Sequence, residues 1–114
     1  MESENKSLGQ TMRESILILI FELIGTALLT LLYSCLGSTG DAWGFYLGIF
    51  ILILFSARIS GSHFNPAVTL AFIFRKDTGR FSRVLGISYI IFQVGGAFCG
   101  SFLFLLFSQS GGNV

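Results

Sequence analysis

The 114 residues are 53% hydrophobic and only 11% charged, with a net charge of +1 and a mean hydropathy of +0.78. Soluble domains carry about 25% charged residues, whereas residues 23–40, 42–57 and 84–114 here carry no charge at all. The composition excludes a soluble enzyme, a nucleic-acid binder and a disordered chain, and it suits a bilayer, where each helical span takes about 20 apolar residues.

Residues 1–14 are polar, lack periodicity and read as a mobile N-terminal tail. Residues 15–36 form the first predicted span. Its apolar run exceeds the length of a signal-peptide core, and Glu2, Glu4 and Glu14 precede it, which disfavours a cleaved leader. Glu22 lies inside this span, on one helical face with Thr26, Thr30 and Tyr33. An ionisable group there is costly and marks a functional position. The face is expected to meet protein, with Glu22 accepting hydrogen bonds from polar backbone. A structural brace and a pore-lining group are both open readings of Glu22.

Residues 37–42 make a short loop with two glycines and Asp41. The second predicted span covers residues 43–57. It opens on Trp43 and Tyr46, residue types of an interfacial belt. Gly44 and Gly48 have the spacing of small-residue helix packing.

The connection over residues 58–83 holds Arg58, Arg75, Lys76, Arg80 and Arg83, and the remaining two basic residues, Lys6 and Arg13, lie on the tail. With three spans, all seven face one compartment. The positive-inside rule makes that compartment the cytoplasm, with the N-terminus inside and the C-terminus outside. The sequon Asn5-Lys6-Ser7 would then stay unmodified.

Within this connection residues 66–74 (PAVTLAFIF) form a further apolar helix. Its nine residues reach about 13 Å, close to half of a hydrocarbon core of about 30 Å. Asn65 suits the N-cap and Pro66 the first helical position, and Arg75 and Lys76 follow the last turn. Arg58 is expected to mark a descent to the cytoplasm. Residues 59–65, if extended, could climb about 23 Å back to the midplane. A re-entrant half-helix of this kind presents its positive end and free carbonyls to a neutral, hydrogen-bonding solute while repelling cations. A surface helix is the alternative, disfavoured because the segment is apolar all round.

Residues 84–107 form the third predicted span, followed by an uncharged tail, residues 108–114. Tyr89, Gln93, Gly96 and Gly100 share one face, and Gly96 and Gly100 again fit close helix packing. Cys35 and Cys99 read as buried small residues without metal-ligand spacing. His63 has no second ligand at metal spacing, and no nucleophile–base pair is present. The potassium-filter sequence TVGYG is absent. No enzyme, cofactor or metal site is expected. His63 is expected to fix the turn or to offer its carbonyl.

The segment SGSHFNPAVT, Ser60 to Thr69, resembles the first NPA loop of the aquaporin (major intrinsic protein) family, typically SGxHxNPAVT. Residues 21–26 (FELIGT) are similar to the family's first-helix EFxGT pattern, and Tyr89, Gln93 and Gly96-Ala97 to its third-helix YxxxQxxGA pattern. The resemblance covers about residues 13–107. It implies an all-α membrane fold in which two inverted repeats, each of three spans and one half-helix, surround a pore. By resemblance, Asn65, Pro66 and Ala67 meet the solute, and the carbonyls of Gly61, Ser62, His63 and Phe64 form an acceptor ladder. Phe45 takes the place of an aromatic constriction residue, Glu22 that of the acid bracing the loop, and Gln93, Gly96 and Gly100 pack helices.

The 114 residues hold one NPA and one repeat, without spans four to six or a constriction arginine. An inverted second copy is opposed by the seven-to-zero charge asymmetry. The expected function is therefore the N-terminal half of a passive channel for water or small neutral solutes, incomplete as an isolated chain. Its expected partners are the bilayer, a complementary second repeat and homologous channel subunits, with no nucleic acid. The competing reading is a non-conducting membrane partner, or a truncated product, that associates with full-length channels.

Overall fold

The computed structural model describes residues 1–37, 39–76 and 81–111. They form four helices, α1 (Glu2–Gly37), α2 (Ala42–Ser56), α3 (Pro66–Phe74) and α4 (Arg83–Gly111), and no strand occurs among the described residues. Two of the helices, over Gly9–Gly37 and Arg83–Gly111, are long and apolar enough to cross a membrane.

Local chemistry sets the boundaries. Asp41 accepts the Gly44 N–H at 3.0 Å and caps α2. Asn65 is the N-cap of α3, with Pro66 just inside it, and α3 stops where Arg75 turns extended. Ser82 accepts the Leu85 N–H at 3.1 Å at the start of α4.

Close contact between α1 and α4 organises the rest. A Cβ on Gly96 would sit 2.3 Å from the Leu23 carbonyl oxygen, and one on Gly100 would sit 2.3 Å from that of Ala27. The two pairs advance together, so α1 and α4 run parallel with their backbones in contact. Gly48 meets the Leu32 side chain, and Phe55 and Ser56 reach the level of Gly25, so α2 runs antiparallel to α1. The space above Gly44 holds the capping Asp41 carboxylate and, 3.3 Å from where a Cβ would sit, the Leu36 side chain of α1, so both glycines lie against α1. Gly86 gives room to Ile73 and ties the end of α3 to the start of α4.

The interior is polar and the exterior apolar. The largest fully buried side chains are Gln93, Glu22 and Thr69, while Phe55, Phe74, Phe98 and Phe107 are exposed. A water-soluble fold has the opposite arrangement.

The structure corrects five expectations. Residues 2–14 are helical and continuous with α1, because nothing in them breaks the register of the span that follows. Cys35 and Cys99 are exposed, since a helix face turned to lipid need not hide a small apolar residue. Tyr33 is also exposed and leaves the polar face at its far end. Residues 59–65 do not climb in extended form. The Ser60 and Gly61 N–H groups return to the Ser56 and Ala57 carbonyls at 2.9 and 3.1 Å, prolonging α2 by a turn. Arg58 lies in that turn, near the level of Gly25 and well above the end of α3. It marks no descent to the membrane surface.

Candidate functional site: a loop gathered on Glu22

Glu22 is fully buried, and its carboxylate holds the segment between α2 and α3. Oε1 accepts the Ser60 hydroxyl at 2.6 Å and the His63 N–H at 3.1 Å. Oε2 accepts the Phe64 N–H at 2.7 Å and the Gln93 amide at 2.8 Å. Four donors converge on its two oxygens, so both buried oxygens are satisfied by hydrogen bonds.

This gathering fixes the backbone. A trans peptide points its C=O opposite to its N–H. With the His63 and Phe64 N–H groups on Glu22, the preceding carbonyls of Ser62 and His63 point away from it. The bends that allow this are left-handed, with φ of +85° at Gly61, +53° at Ser62 and +48° at Phe64. Such values are strained for residues with a Cβ. The Phe64 ring offsets the strain by lying against Gly25, where an added Cβ would come within 2.0 Å of it.

A second layer holds the first. The Tyr89 hydroxyl donates to the Ser60 carbonyl at 2.6 Å, turning that carbonyl toward α4. Ser60 Oγ also accepts the Ser62 N–H at 3.1 Å, and Ser62 Oγ pairs with Ser56 Oγ at 2.6 Å. Thr69 Oγ1 accepts from Gln93 Nε2 at 2.9 Å and lies 3.1 Å from His63 Nδ1. The His63 ring stacks on Phe72 and lies edge-on to Tyr89, at centroid distances of 4.5 and 5.2 Å. His63 thus has polar and aromatic neighbours and no metal-ligand set. No group of metal-binding side chains occurs among the described residues.

Asn65 stands at the open end. Its Oδ1 accepts the Ala67 N–H at 2.9 Å, which assigns the side-chain oxygen inward and leaves Nδ2 as an exposed donor. Beside Pro66 an open cleft of about 310 Å³ is lined by Thr26, Gln93, Val94, Ala97, Phe98 and Ser101. Phe45 lies apart from this cluster, on the first turn of α2, edge-on to Tyr33 with ring centroids 5.7 Å apart.

The structure therefore joins Glu22, His63, Phe64 and Gln93 directly, with Gly61, Ser62 and Asn65 in the same turn. Gly96 and Gly100 hold α4 against α1 close by. Sequence reasoning missed Ser56, Ser60, Thr69 and Gly25 as individual contributors. Ser60, Thr69 and Gly25 stood inside recognised motifs, but the long-range partners that give them their roles, Glu22, Gln93 and Phe64, lie at least 24 residues away, while Ser56 pairs with Ser62 across the turn after α2.

The family model for Major intrinsic protein matches residues 3–113. Aquaporin PIP2-5 of Oryza sativa subsp. japonica is 46% identical over 74 residues, 65% of this chain and 25% of that protein. Aquaporin PIP1-3/PIP1-4 of Zea mays is 40% identical over 85 residues, 74% of this chain and 28% of that protein. The Glycerol uptake facilitator protein of Buchnera aphidicola subsp. Schizaphis graminum (strain Sg) is 42% identical over 68 residues, 59% of this chain and 24% of that protein. The chain thus spans about a quarter of the length of the curated relatives it matches. No solved structure matches.

Proposed function

The chain belongs to the major intrinsic protein family of membrane channels, which are not enzymes, and from that premise we propose that its 114 residues build one half of a passive path for water or small neutral solutes. Spans over residues 15–36 and 84–107, with the shorter apolar helix of residues 43–57 entering from the far side, pack around a re-entrant half-helix, residues 66–74. The tails, residues 1–14 and 108–114, lie outside this half-channel repeat. The basic end, with the N-terminus, faces the cytoplasm.

The observation that carries this reading is the set of four donors on Glu22. By taking the N–H side of the loop, Glu22 leaves carbonyls on the opposite side for solute. Gly61, Ser62, His63 and Phe64 supply this acceptor ladder, and Asn65 Nδ2 is the donor at its end, beside Pro66 and Ala67. Acceptors and donors in series suit a solute that does both, as water and alcohols do, and the positive end of α3 repels cations. Glu22 is the brace, Phe45 the constriction residue at the far mouth, and Gln93, Gly96 and Gly100 the packing of α4. The depth agrees. From Arg13 to Gly37 α1 rises about 36 Å, and Pro66 borders a cleft shared with Thr26 and Ala97, near the middle of that rise.

The open cleft beside Pro66 supports a path that one repeat leaves unwalled. A complementary second repeat, in the same or another polypeptide, closes it. Stopped-flow osmotic swelling tests this with liposomes holding the 114-residue chain alone or together with a second repeat. The chain alone is expected to match empty liposomes, and the pair to swell faster. Swelling by the chain alone, or none from an inserted pair, would overturn the proposal.

A further inference from the structure

Four cations collect at one end of the bundle. Arg75 and Lys76 follow α3 and Arg83 begins α4, and contact of Ile73 and Phe81 with Gly86 holds these ends together. The parallel register that sets Leu23 beside Gly96 and Ala27 beside Gly100 brings Arg13 level with residue 86. Arg13, Arg75, Lys76 and Arg83 are all exposed. One described acid, Glu14, lies at this level, and Gln10 donates to it at 3.3 Å. Arg58 stands about nine residues higher on the α1 scale, roughly 13 Å away along the axis.

Depth and neighbours say what these cations meet. The rise of about 36 Å from Arg13 to Gly37 slightly exceeds a hydrocarbon core of about 30 Å, which puts Arg13 and its neighbours at the headgroups. Three of the cations also have a large exposed apolar neighbour in the chain. Met12 precedes Arg13, Phe74 precedes Arg75, and Val84 follows Arg83, at 64%, 80% and 75% exposure. A free polyanion in water would use only the cations. A phospholipid uses both, its phosphate on the cations and its chains against the apolar side chains.

We propose that this girdle is a binding surface for the headgroups of anionic phospholipids in the leaflet at the basic end. A Lys or Arg near such a surface favours anionic lipid by about fivefold. Native mass spectrometry of the detergent-solubilised chain, mixed with equimolar phosphatidylglycerol and phosphatidylcholine, reads the preference directly. The native chain is expected to retain phosphatidylglycerol at least fivefold over phosphatidylcholine. The quadruple variant R13Q/R75Q/K76Q/R83Q is expected to bring the ratio near one. M12S/F74S, which keeps every charge, is expected to weaken retention of both lipids, and R58Q to leave the ratio unchanged. Inositol hexakisphosphate at equal concentration is expected not to displace the lipid. Thermal melting of each variant reports folding. A ratio near one for the native chain, a loss in R58Q equal to that in R75Q alone, full retention in M12S/F74S, or displacement by the soluble phosphate would each overturn the assignment.

Discussion

Replacing Glu22 by glutamine changes one atom type and leaves the shape of the side chain almost untouched. It nonetheless breaks the pattern of four donors meeting two acceptors. If the new NH2 faces Phe64 and Gln93, two donor pairs oppose each other. If it faces Ser60 and His63, the Ser60 hydroxyl can rotate to accept, and only the His63 N–H is stranded. The second orientation is the cheaper one. A buried donor without a partner costs about 1–3 kcal/mol, and two charge-assisted bonds at Phe64 and Gln93 weaken to neutral ones, adding about 1 kcal/mol. At roughly 1.4 kcal/mol per decade, a loss near 3 kcal/mol raises local opening about 100-fold. Amide hydrogen exchange in detergent is the assay. The His63 and Phe64 amides are expected to exchange about two orders of magnitude faster in Glu22→Gln, while the α4 amides around Val94 change far less. Unaltered protection at His63 and Phe64 would falsify the reasoning, because the loop would then be held by something other than this carboxylate.

Adjacent glycines on α4 should behave differently. Gly96→Ala places a methyl group against the Leu23 carbonyl and should cost about 1–3 kcal/mol, whereas Gly95→Ala meets nothing within 4 Å and should leave thermal melting unchanged or raise its midpoint. Gly25→Ala and Phe64→Ala should each destabilise, but less than additively when combined, with a coupling of at least about 1 kcal/mol in a double-mutant cycle, because the first intrudes on the ring that the second removes. Asn65→Ala should lower stability by about 1 kcal/mol through loss of the cap. Asn65→Asp keeps the capping acceptor, so it should melt like the native chain yet lose permeation when paired with a second repeat, since the Nδ2 donor is gone. Insertion into microsomes should leave Asn5 unglycosylated, and a glycan there would reverse the orientation.

Much of this was legible in the sequence, for reasons tied to particular residues. Asn65 and Pro66 set the start of α3 by local chemistry that needs no distant partner, and residues 66–74 are helical as expected. Glu22 announced itself by its cost within an apolar run, and its acceptor role toward the loop followed from that cost. The path of residues 59–65 was not legible, because extension is a local expectation and the carboxylate overrides it. Three donors from residues 60–64 on one side chain require a tight turn, which φ near +50° at Ser62 and Phe64 provides. Tyr89 stood on a suspected face, but its bond to the Ser60 carbonyl depends on where α2 ends. The exposure of the two cysteines was missed because a rule of burial learned from water was applied to residues whose outer solvent is lipid.

The bonds around Glu22 also impose an order in time. Gln93 follows Glu22 by 71 residues, and Phe64 follows it by 42. At about 5–20 residues per second, synthesis leaves a gap of roughly 4–14 s between Glu22 and Gln93. Over that interval α1 is complete as an apolar segment while its carboxyl group has no finished site to occupy. Until α4 arrives, the carboxyl group lacks the Gln93 donor that completes its site. A nascent chain stalled between Phe64 and Gln93 would hold three of the four donors of the brace and lack the one from α4.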